Sequence, residues 1–229
     1  MANKKKSLES ISIVCACMNR AKPLKACIGS WLLDKRINEI LIVDWSSTPK
    51  LNLDNLDPRI RIVRVDGEKY FNLGKAYNLG FKLAKSSQII KMDTDYFINP
   101  YYDLIGELPL RKSTFYTGNW MLHKFDGDMG FFRYTNGWLY IKKEDFLSVG
   151  GYREDLKGYG YDDSDLYQRL IQSGLARGTL NLNLMPLVFH VPHKEKVRVE
   201  NYENKNIRET EQYNRNLCVN VNKQSNVDQ

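Results

Sequence analysis

Short runs of aliphatic and β-branched residues alternate with helix-like segments through the first hundred residues of this chain. Such alternation is typical of an open α/β sheet. We expect strands at 11–17, 39–44, 60–65 and 88–92, and helices at 23–31 and 73–84. The sequence therefore predicts an α/β fold with a mixed, mostly parallel central sheet flanked by helices.

The second half of the chain is richer in aromatic residues and less regular. We expect strands at 113–120, 137–142 and 184–188, and helices at 143–149 and 162–172. We see no internal repeat and no interdomain linker in the sequence. We therefore expect one domain over residues 1–193, with lobes at about 8–100 and 110–193, and a polar, solvated tail over 194–229.

Composition indicates an ordinary globular protein, with 42% hydrophobic and 27% charged residues in a chain of 229. No apolar run approaches the roughly 20 residues that span a bilayer. The four cysteines show neither metal-ligand nor disulfide spacing, which favours buried thiols in a reducing compartment. We therefore expect a cytoplasmic protein without a transmembrane segment.

The net charge of +7 suits an anionic ligand, either nucleic acid or a nucleotide diphosphate. The basic residues are scattered, apart from a cluster at residues 4–6, and no nucleic-acid-binding motif is present. We therefore do not expect nucleic acid as a partner.

Two acids, Asp93 and Asp95, flank one residue just after a buried strand. Open α/β sheets bind ligands at the ends of their strands, and a divalent cation that bridges phosphates needs hard oxygen ligands. The alternative is a solvated acidic turn. The buried strand before the pair and the aromatic residue after it favour a metal and diphosphate site.

A second acidic group follows a loop rich in glycine and tyrosine, over residues 158–165. Acids at a helix N-terminus are stabilising by themselves, which is the structural alternative. Aromatic faces beside carboxylates are also typical of sugar binding, and a carboxylate can act as general base for a hydroxyl.

Two of the three histidines, His190 and His193, follow the last predicted strand. A single histidine is more often structural than a ligand. Two so close together, in a chain that also contains an acidic pair, favour at least one metal contact. The spacing alone leaves open which histidine binds.

The order of these segments resembles the GT-A fold glycosyltransferases, in particular family 2 enzymes of the chondroitin polymerase type and the β-1,4-galactosyltransferases. The resemblance runs from about residue 11 to about 193, so it covers most of the chain. It implies a single Rossmann-like GT-A domain that transfers a sugar from a nucleotide diphosphate donor to a hydroxyl group.

On the donor side, residues 17–20 resemble the segment that meets the diphosphate, and residues 43–47 resemble the V-D-D-G-S turn that holds the nucleoside. Residues 71–81 are similar to the F-N-R-A-K-x-x-N-V-G-F stretch of the galactosyltransferases, which packs along the donor. The resemblance therefore implies a set of nucleotide contacts: Arg20, Asp44, Asn72, Lys75, Asn78 and Asp93.

The acidic pair falls where these families place their metal-binding D-x-D motif. The resemblance implies Mn²⁺ or Mg²⁺ held by Asp95, with Asp93 as a second candidate ligand. The polymerase pattern adds His190 to the metal site, whereas the galactosyltransferase pattern adds His193. We favour His190, because it follows the predicted strand directly.

On the acceptor side, the glycine–tyrosine loop resembles the W-G-W-G-G-E-D motif. The resemblance implies that Asp163 is the general base. Tryptophans and a glycine of that motif are replaced in this chain, so donor and acceptor preference does not carry over. The remaining sugar or acceptor contacts that it implies are Asp162, Tyr159, Gly160 and, as a further stacking platform, Trp138.

The predicted function is therefore metal-dependent, inverting transfer from a nucleotide diphosphate sugar, with UDP implied by resemblance, to a hydroxyl of a glycan or other acceptor. One alternative is a nucleotidyltransferase, although the chain lacks a good glycine-rich basic loop after its first strand. The other is a non-catalytic sugar- or nucleic-acid-binding protein, which would not need the acids and histidines together.

Overall fold

A seven-stranded mixed sheet forms the centre of the protein in the computed structural model, which describes residues 10–53, 57–118, 135–180, 187–191, 193–194 and 196–225. In chain order the strands are β1 (Ile11–Cys17), β2 (Ile37–Trp45), β3 (Ile60–Val65), β4 (Gln88–Lys91), β5 (Tyr96–Ile98), β6 (Thr114–Thr117), β7 (Leu139–Lys142), β8 (Ala176–Thr179) and β9 (Val188–His190). The helices are α1 (Ala21–Trp31), α2 (Leu73–Leu83), α3 (Leu104–Glu107), α4 (Lys143–Ser148), α5 (Asp162–Gln172), α6 (Lys196–Val199) and α7 (Ile207–Ser225).

The strand order of the main sheet is β3-β2-β1-β4-β7-β6-β8. The first four of these strands are mutually parallel, and β7 runs antiparallel to both of its neighbours. The predicted α/β fold with a mixed, mostly parallel sheet is confirmed. Part of the strand predicted at 113–120 and most of the one predicted at 184–188 lie outside the described residues.

Successive residues of β1 point to opposite faces of the sheet and enter two different cores. Cys15 packs with α1, through Leu24, on one face, whereas Val14 packs with α2, through Phe81, on the other. All four cysteines are free and buried, as predicted. With both faces of its parallel strands covered by helices, the sheet is held rigidly where those strands end.

A small antiparallel ribbon of β5 and β9 lies beside that edge of the main sheet. Tyr96 pairs with His190, and the backbone N–H of Val191 donates to the carbonyl of Asp95 at 2.8 Å. The ribbon therefore joins the turn after β4 to the residues after β9, which are almost a hundred positions apart in sequence.

Residues 196–199 and 207–225 form helices, which corrects the prediction of a solvated tail. Helix α7 spans 19 residues and buries Thr210, Asn214 and Cys218, which lie four residues apart on one helical face. This face is polar apart from the thiol, so a search for aliphatic periodicity does not find it. The described part of the chain contains no helix with the length and apolarity needed to cross a membrane.

Candidate active site

A cavity of about 280 Å³ opens at the carboxyl ends of β1 and β4. Four of the segments that line it carry most of the predicted site: the residues after β1, the turn after β4, the loop before α5 and the residues after β9. Ligands of open α/β sheets bind at this edge, because the loops that leave parallel strands converge there.

Asp95, His190 and His193 form a cluster on one side of the cavity. Their ligand atoms all lie within 4.8 Å of one another. Oδ2 of Asp95 is 3.1 Å from Nε2 of His193 and 3.5 Å from Nε2 of His190. The β5–β9 ribbon brings both histidines to the same carboxylate. One carboxylate and two imidazoles make a ligand set that suits a divalent transition metal.

Arg20 donates from Nη2 to the same oxygen of Asp95 at 2.5 Å. Burial opposes the ionisation of Asp95, which is only 5% exposed. His190, His193 and Arg20 outweigh this burial and hold the pKa of Asp95 well below its usual range. This side of the cavity therefore carries a carboxylate that is fixed as an anion.

Asp162 and Asp163 lie on the opposite side, in the first turn of α5. Burial, reinforced by the neighbouring carboxylate, raises the pKa of Asp162 to about 7. Burial also raises the pKa of Asp163, although Lys91 opposes this rise. Tyr161 precedes them in the left-handed region at φ +71°, which turns the chain sharply into the helix. Asp162 is therefore poised to exchange a proton near neutral pH, and Asp163 keeps its proton to higher pH than an ordinary aspartate.

The loop before α5 is fixed from behind by α7 and the turn before it. Asn214 donates to the carbonyl of Gly160 at 2.8 Å, and the hydroxyl of Thr210 donates to the carbonyl of Tyr159 at 2.8 Å. The ring of Tyr159 meets Tyr202 edge-on. Tyr159 and Gly160 both line the cavity, so the C-terminal segment holds the predicted acceptor loop in place.

Asp93 lines the cavity between the two sides. Its Oδ1 accepts a hydrogen bond from the hydroxyl of Tyr77 at 2.8 Å and lies 3.4 Å from Nζ of Lys91. Among the described residues it is not part of the Asp95 cluster. Its position fits the predicted nucleotide contact better than the predicted metal contact.

Two predicted contacts do not reach the cavity. Trp138 is completely buried in the core, so it cannot stack against an acceptor, and its predicted role is corrected to packing. Asp44 is 1% exposed. Its carboxylate pairs with Arg64 at 2.7 Å and accepts from the backbone N–H groups of Ser47 and Leu51, so it fixes the turn after β2 instead of holding a nucleoside.

Three further predicted donor contacts, all on α2 or at its N-terminus, do not line this cavity. Asn72 caps α2 by accepting from the N–H of Lys75, and Lys75 itself is exposed. Asn78 exchanges two hydrogen bonds with the backbone of Tyr152, at 2.8 and 2.9 Å. The stretch that resembles the donor-binding segment thus has a structural role at Asn72 and Asn78, and its residues Phe71 and Leu73 line the cavity.

Sequence reasoning missed several residues that line the cavity. The strongest is Lys91, a lysine at the end of a short buried strand, which is a signal visible in the sequence. Asn201 and Tyr202, which follow α6, gave no such signal because they belong to a segment predicted to be solvated.

The sheet order and the cavity at its strand ends, with acids and histidines facing each other, define a glycosyltransferase of the GT-A fold. The chain belongs to glycosyl transferase family 2, whose sequence profile matches residues 12–146. A second profile, described as the N-terminal domain of galactosyltransferase, matches residues 117–205. The predicted family, fold and enzyme class are therefore confirmed, and the alternatives of a nucleotidyltransferase and of a non-catalytic binding protein are set aside.

Individual relatives agree with this assignment. The chain is 30% identical to β-1,4-galactosyltransferase 1 of Bos taurus over 137 residues, which is 56% of this chain and 32% of that relative. It thus spans about a third of that curated relative's length. The catalytic domain of Drosophila β-1,4-galactosyltransferase 7, complexed with xylobiose, aligns with a TM-score of 0.60 at 16% identity, over 88% of this chain and 78% of that one. A second structure of that enzyme, a mutant complexed with manganese, UDP-Gal and xylobiose, aligns over the same shares with a TM-score of 0.58 at 14% identity.

Proposed function

We propose that this protein is a metal-dependent, inverting glycosyltransferase that moves a sugar from a UDP-sugar to a hydroxyl of a glycan acceptor. One observation carries the proposal: a cluster of metal-ligating side chains faces a pair of half-buried carboxylates with raised pKa values across a single cavity. Sugar transfer to a hydroxyl needs both, because a diphosphate must leave while a proton is removed from the acceptor.

The donor set fits a divalent ion. Asp95, His190 and His193 supply one oxygen and two nitrogens from three different points of the chain. Such a mixed set suits Mn²⁺ better than Mg²⁺, which prefers oxygen ligands. Manganese in the complex of the Drosophila enzyme supports the same choice. When bound, the ion supplies positive charge that stabilises a departing diphosphate.

Arg20 lies where it can assist the same diphosphate. Its guanidinium group is already at the edge of the metal cluster and presents a planar fork of donors, which matches phosphate oxygens. UDP-Gal in the related complex supports a uridine nucleotide as the donor's leaving group. Arg20 would therefore orient the donor and hold the growing negative charge.

Asp163 would act as the general base. A raised pKa brings a carboxylate closer to the operating pH, which improves its ability to take a proton in the transition state. Asp162 would orient sugar hydroxyls beside it, and Tyr159 would offer its ring to the acceptor. Xylobiose in the complexes of the Drosophila enzyme supports a glycan acceptor.

A thermal-shift panel of nucleotide sugars, with and without Mn²⁺, tests the proposal. A ligand that binds only the native state raises the melting temperature by mass action. We expect UDP-sugars to raise it in Mn²⁺ and to have little effect in EDTA. The best donor should then release UDP in the presence of Mn²⁺ and a glycan acceptor. Stabilisation by no nucleotide sugar, with metal present, would contradict the proposal.

The metal assignment has its own test. His190→Ala and His193→Ala should each weaken Mn²⁺ binding, measured by calorimetry on the protein without nucleotide, because each removes one of three ligands. His190→Ala with unchanged Mn²⁺ affinity would restrict the site to His193, and the converse result would restrict it to His190.

A further inference from the structure

Lys91, at the end of β4, lines the cavity but has no task in the proposed mechanism. Its side chain is only 1% exposed, although it carries a full positive charge. A buried charge is costly unless it is paired and hydrogen-bonded. Its partners therefore indicate what it does.

The ammonium group of Lys91 has three donors, and it meets three acceptors. Nζ donates to the carbonyl of Gly137 at 2.6 Å and lies 3.3 Å from Oδ1 of Asp163 and 3.4 Å from Oδ1 of Asp93. Its charge also faces the rings of Tyr77, at 4.7 Å, and Tyr152, at 5.7 Å. The ammonium group is therefore held in one position, with its charge next to the carboxylate of Asp163.

The backbone at Gly137 is shaped for this lysine. A Cβ atom at that position would lie 2.7 Å from Oδ2 of Asp93 and 3.2 Å from Nζ of Lys91. Both contacts are too close for ordinary packing, so a side chain there would displace the lysine or the carboxylate. Glycine at position 137 therefore leaves the space that the side chains of Lys91 and Asp93 occupy.

Asp163 is anchored through a single oxygen. Oδ1 accepts a hydrogen bond from the hydroxyl of Tyr152 at 2.7 Å and from Lys91 at 3.3 Å. Within the described ranges no other side chain or backbone group donates to this carboxylate. Oδ2 is therefore the oxygen that can meet an acceptor hydroxyl in the cavity.

We propose that Lys91 is the positioning residue of the acceptor-side carboxylate: its ammonium group keeps Asp163 an anion and directs Oδ2 into the cavity. This inference rests on the proposed role of Asp163 as general base. It gives the buried lysine a task in the reaction without any contact between the lysine and the substrates.

The electrostatics of the cluster agree with this geometry. Burial raises the pKa of Asp163, and Lys91 is the strongest influence in the opposite direction. Burial alone would lower the pKa of Lys91, but Asp163 and Asp93 outweigh it and keep the lysine charged. Other titratable groups also interact with Asp163, from β5, from α5, from the turn after β4 and from the loops after α4, before α5 and after α6: Asp93, Asp162, Tyr96, Tyr152, Tyr159, Tyr167 and Tyr202.

Lys91→Met tests the proposal, because methionine has a similar length and no charge. An opposite charge within about 4–6 Å lowers a carboxyl pKa by about 1–3 units. We therefore expect the acid limb of the kcat–pH profile, at saturating Mn²⁺, donor and acceptor, to move upward by about 1–3 pH units. At pH values above the shifted limb, transfer should return to within a few fold of the wild-type rate.

A second readout does not depend on activity. The carboxyl signal of Asp163 can be followed by ¹³C NMR titration and assigned by its loss in Asp163→Asn. It should titrate at higher pH in Lys91→Met than in the wild type. Lys82→Met, which removes one charge from an exposed position of α2, should change neither the NMR titration nor the pH profile.

If Lys91 only stabilised the fold, the result would be different. In that case Lys91→Met would lower kcat equally at all pH values and leave the Asp163 titration in place, and the proposal would be overturned. If Lys91→Met does not fold, Lys91→Gln carries the same expectation. The wild-type titration is independent of both variants: Asp163 should lose its proton at lower pH than Asp162, and the reverse order would also overturn the proposal.

The failure of this inference is distinguishable from the failure of the proposed function. If Asp163→Asn retains near-normal transfer, the general-base role fails, whatever Lys91→Met does. If Asp163→Asn abolishes transfer while Lys91→Met leaves both titrations unmoved, only the role of Lys91 fails.

Discussion

The two sides of the cavity treat their carboxylates in opposite ways. Asp95 is surrounded by two histidines and Arg20, which hold its pKa well below the usual range. Asp162 and Asp163 lie half-buried next to each other, with one lysine for the pair, and their pKa values are raised. An aspartate is thus fixed as an anion on one side of the cavity, whereas aspartates on the other side can take up and release a proton.

This difference follows from how each side is built. The β5–β9 ribbon carries the histidines to Asp95, so nitrogen and guanidinium groups surround the carboxylate. On the other side, the first turn of α5 holds two carboxylates that are adjacent in sequence. Among the described residues, Lys91 is the only cation that pairs with Asp163. The side with Asp95 therefore suits binding of a metal and a diphosphate, whereas the side with Asp162 and Asp163 suits proton transfer.

Asp163→Asn should have the largest effect on the acceptor side. The amide is nearly isosteric but cannot take a proton, so transfer at saturating donor and acceptor should fall by about 10²–10⁴-fold. UDP affinity, measured by calorimetry with Mn²⁺, should stay within a small factor of the wild type. Asp155→Asn, an exposed acid in the preceding loop, is the matched control. Near-normal transfer by a folded Asp163→Asn protein would show that Asp163 is not the general base, and that the two sides of the cavity do not differ in this way.

The pH dependence of transfer should show the raised pKa of the acceptor side. A base must be deprotonated, so kcat falls as the pH drops below the pKa of Asp163, by about tenfold per pH unit. With Mn²⁺ and both substrates saturating, the acid limb should lie above the ordinary aspartate range of about 4. A limb at or below that range would mean that burial does not perturb the acceptor-side pair.

Arg20→Gln should separate metal binding from nucleotide binding on the other side. UDP affinity in Mn²⁺ should fall about tenfold or more, because a hydrogen bond between charged groups contributes about 1.5–3 kcal/mol. Mn²⁺ alone should bind at least as tightly as in the wild type, because the arginine no longer shares Oδ2 of Asp95. Lys25→Gln, on the exposed face of α1, is the control. Unchanged UDP affinity would remove Arg20 from the donor site.

Asn214→Ala should have the smallest effect, confined to the acceptor loop. The change leaves the buried carbonyl of Gly160 without its donor, which costs about 1–3 kcal/mol and lowers the melting temperature by about 2–4 °C per kcal/mol. The acceptor KM should rise while UDP affinity stays unchanged. Asn216→Ala, exposed on the same helix, serves as the control. An equal loss of UDP affinity would show that α7 supports both sides.

Much of the fold was predictable, because buried parallel strands appear as β-branched runs and their helices as amphipathic segments. The acid pair after β4 and the two late histidines were also visible as local patterns. What brings them together, the β5–β9 ribbon, rests on two three-residue strands that are too short for any periodic signal.

The remaining errors have a common physical cause: a residue type does not reveal its environment. Trp138 and Asp44 belong to types that often bind ligands, but tertiary packing encloses both. The buried face of α7 is polar and is stabilised by hydrogen bonds to a distant loop, so hydrophobic periodicity misses it. Lys91 was visible as a charge at the end of a short buried strand, but its partners at 137 and 163 are defined only in three dimensions.

Binding of UDP with and without Mn²⁺ tests the central claim most directly. Isothermal titration calorimetry should show markedly tighter UDP binding in Mn²⁺ than in EDTA, and Asp95→Ala should abolish this difference. Asp163→Asn should preserve it, because the acceptor-side acid does not contact the metal cluster among the described residues. Equal UDP affinity with and without Mn²⁺ in the wild-type protein would contradict the account.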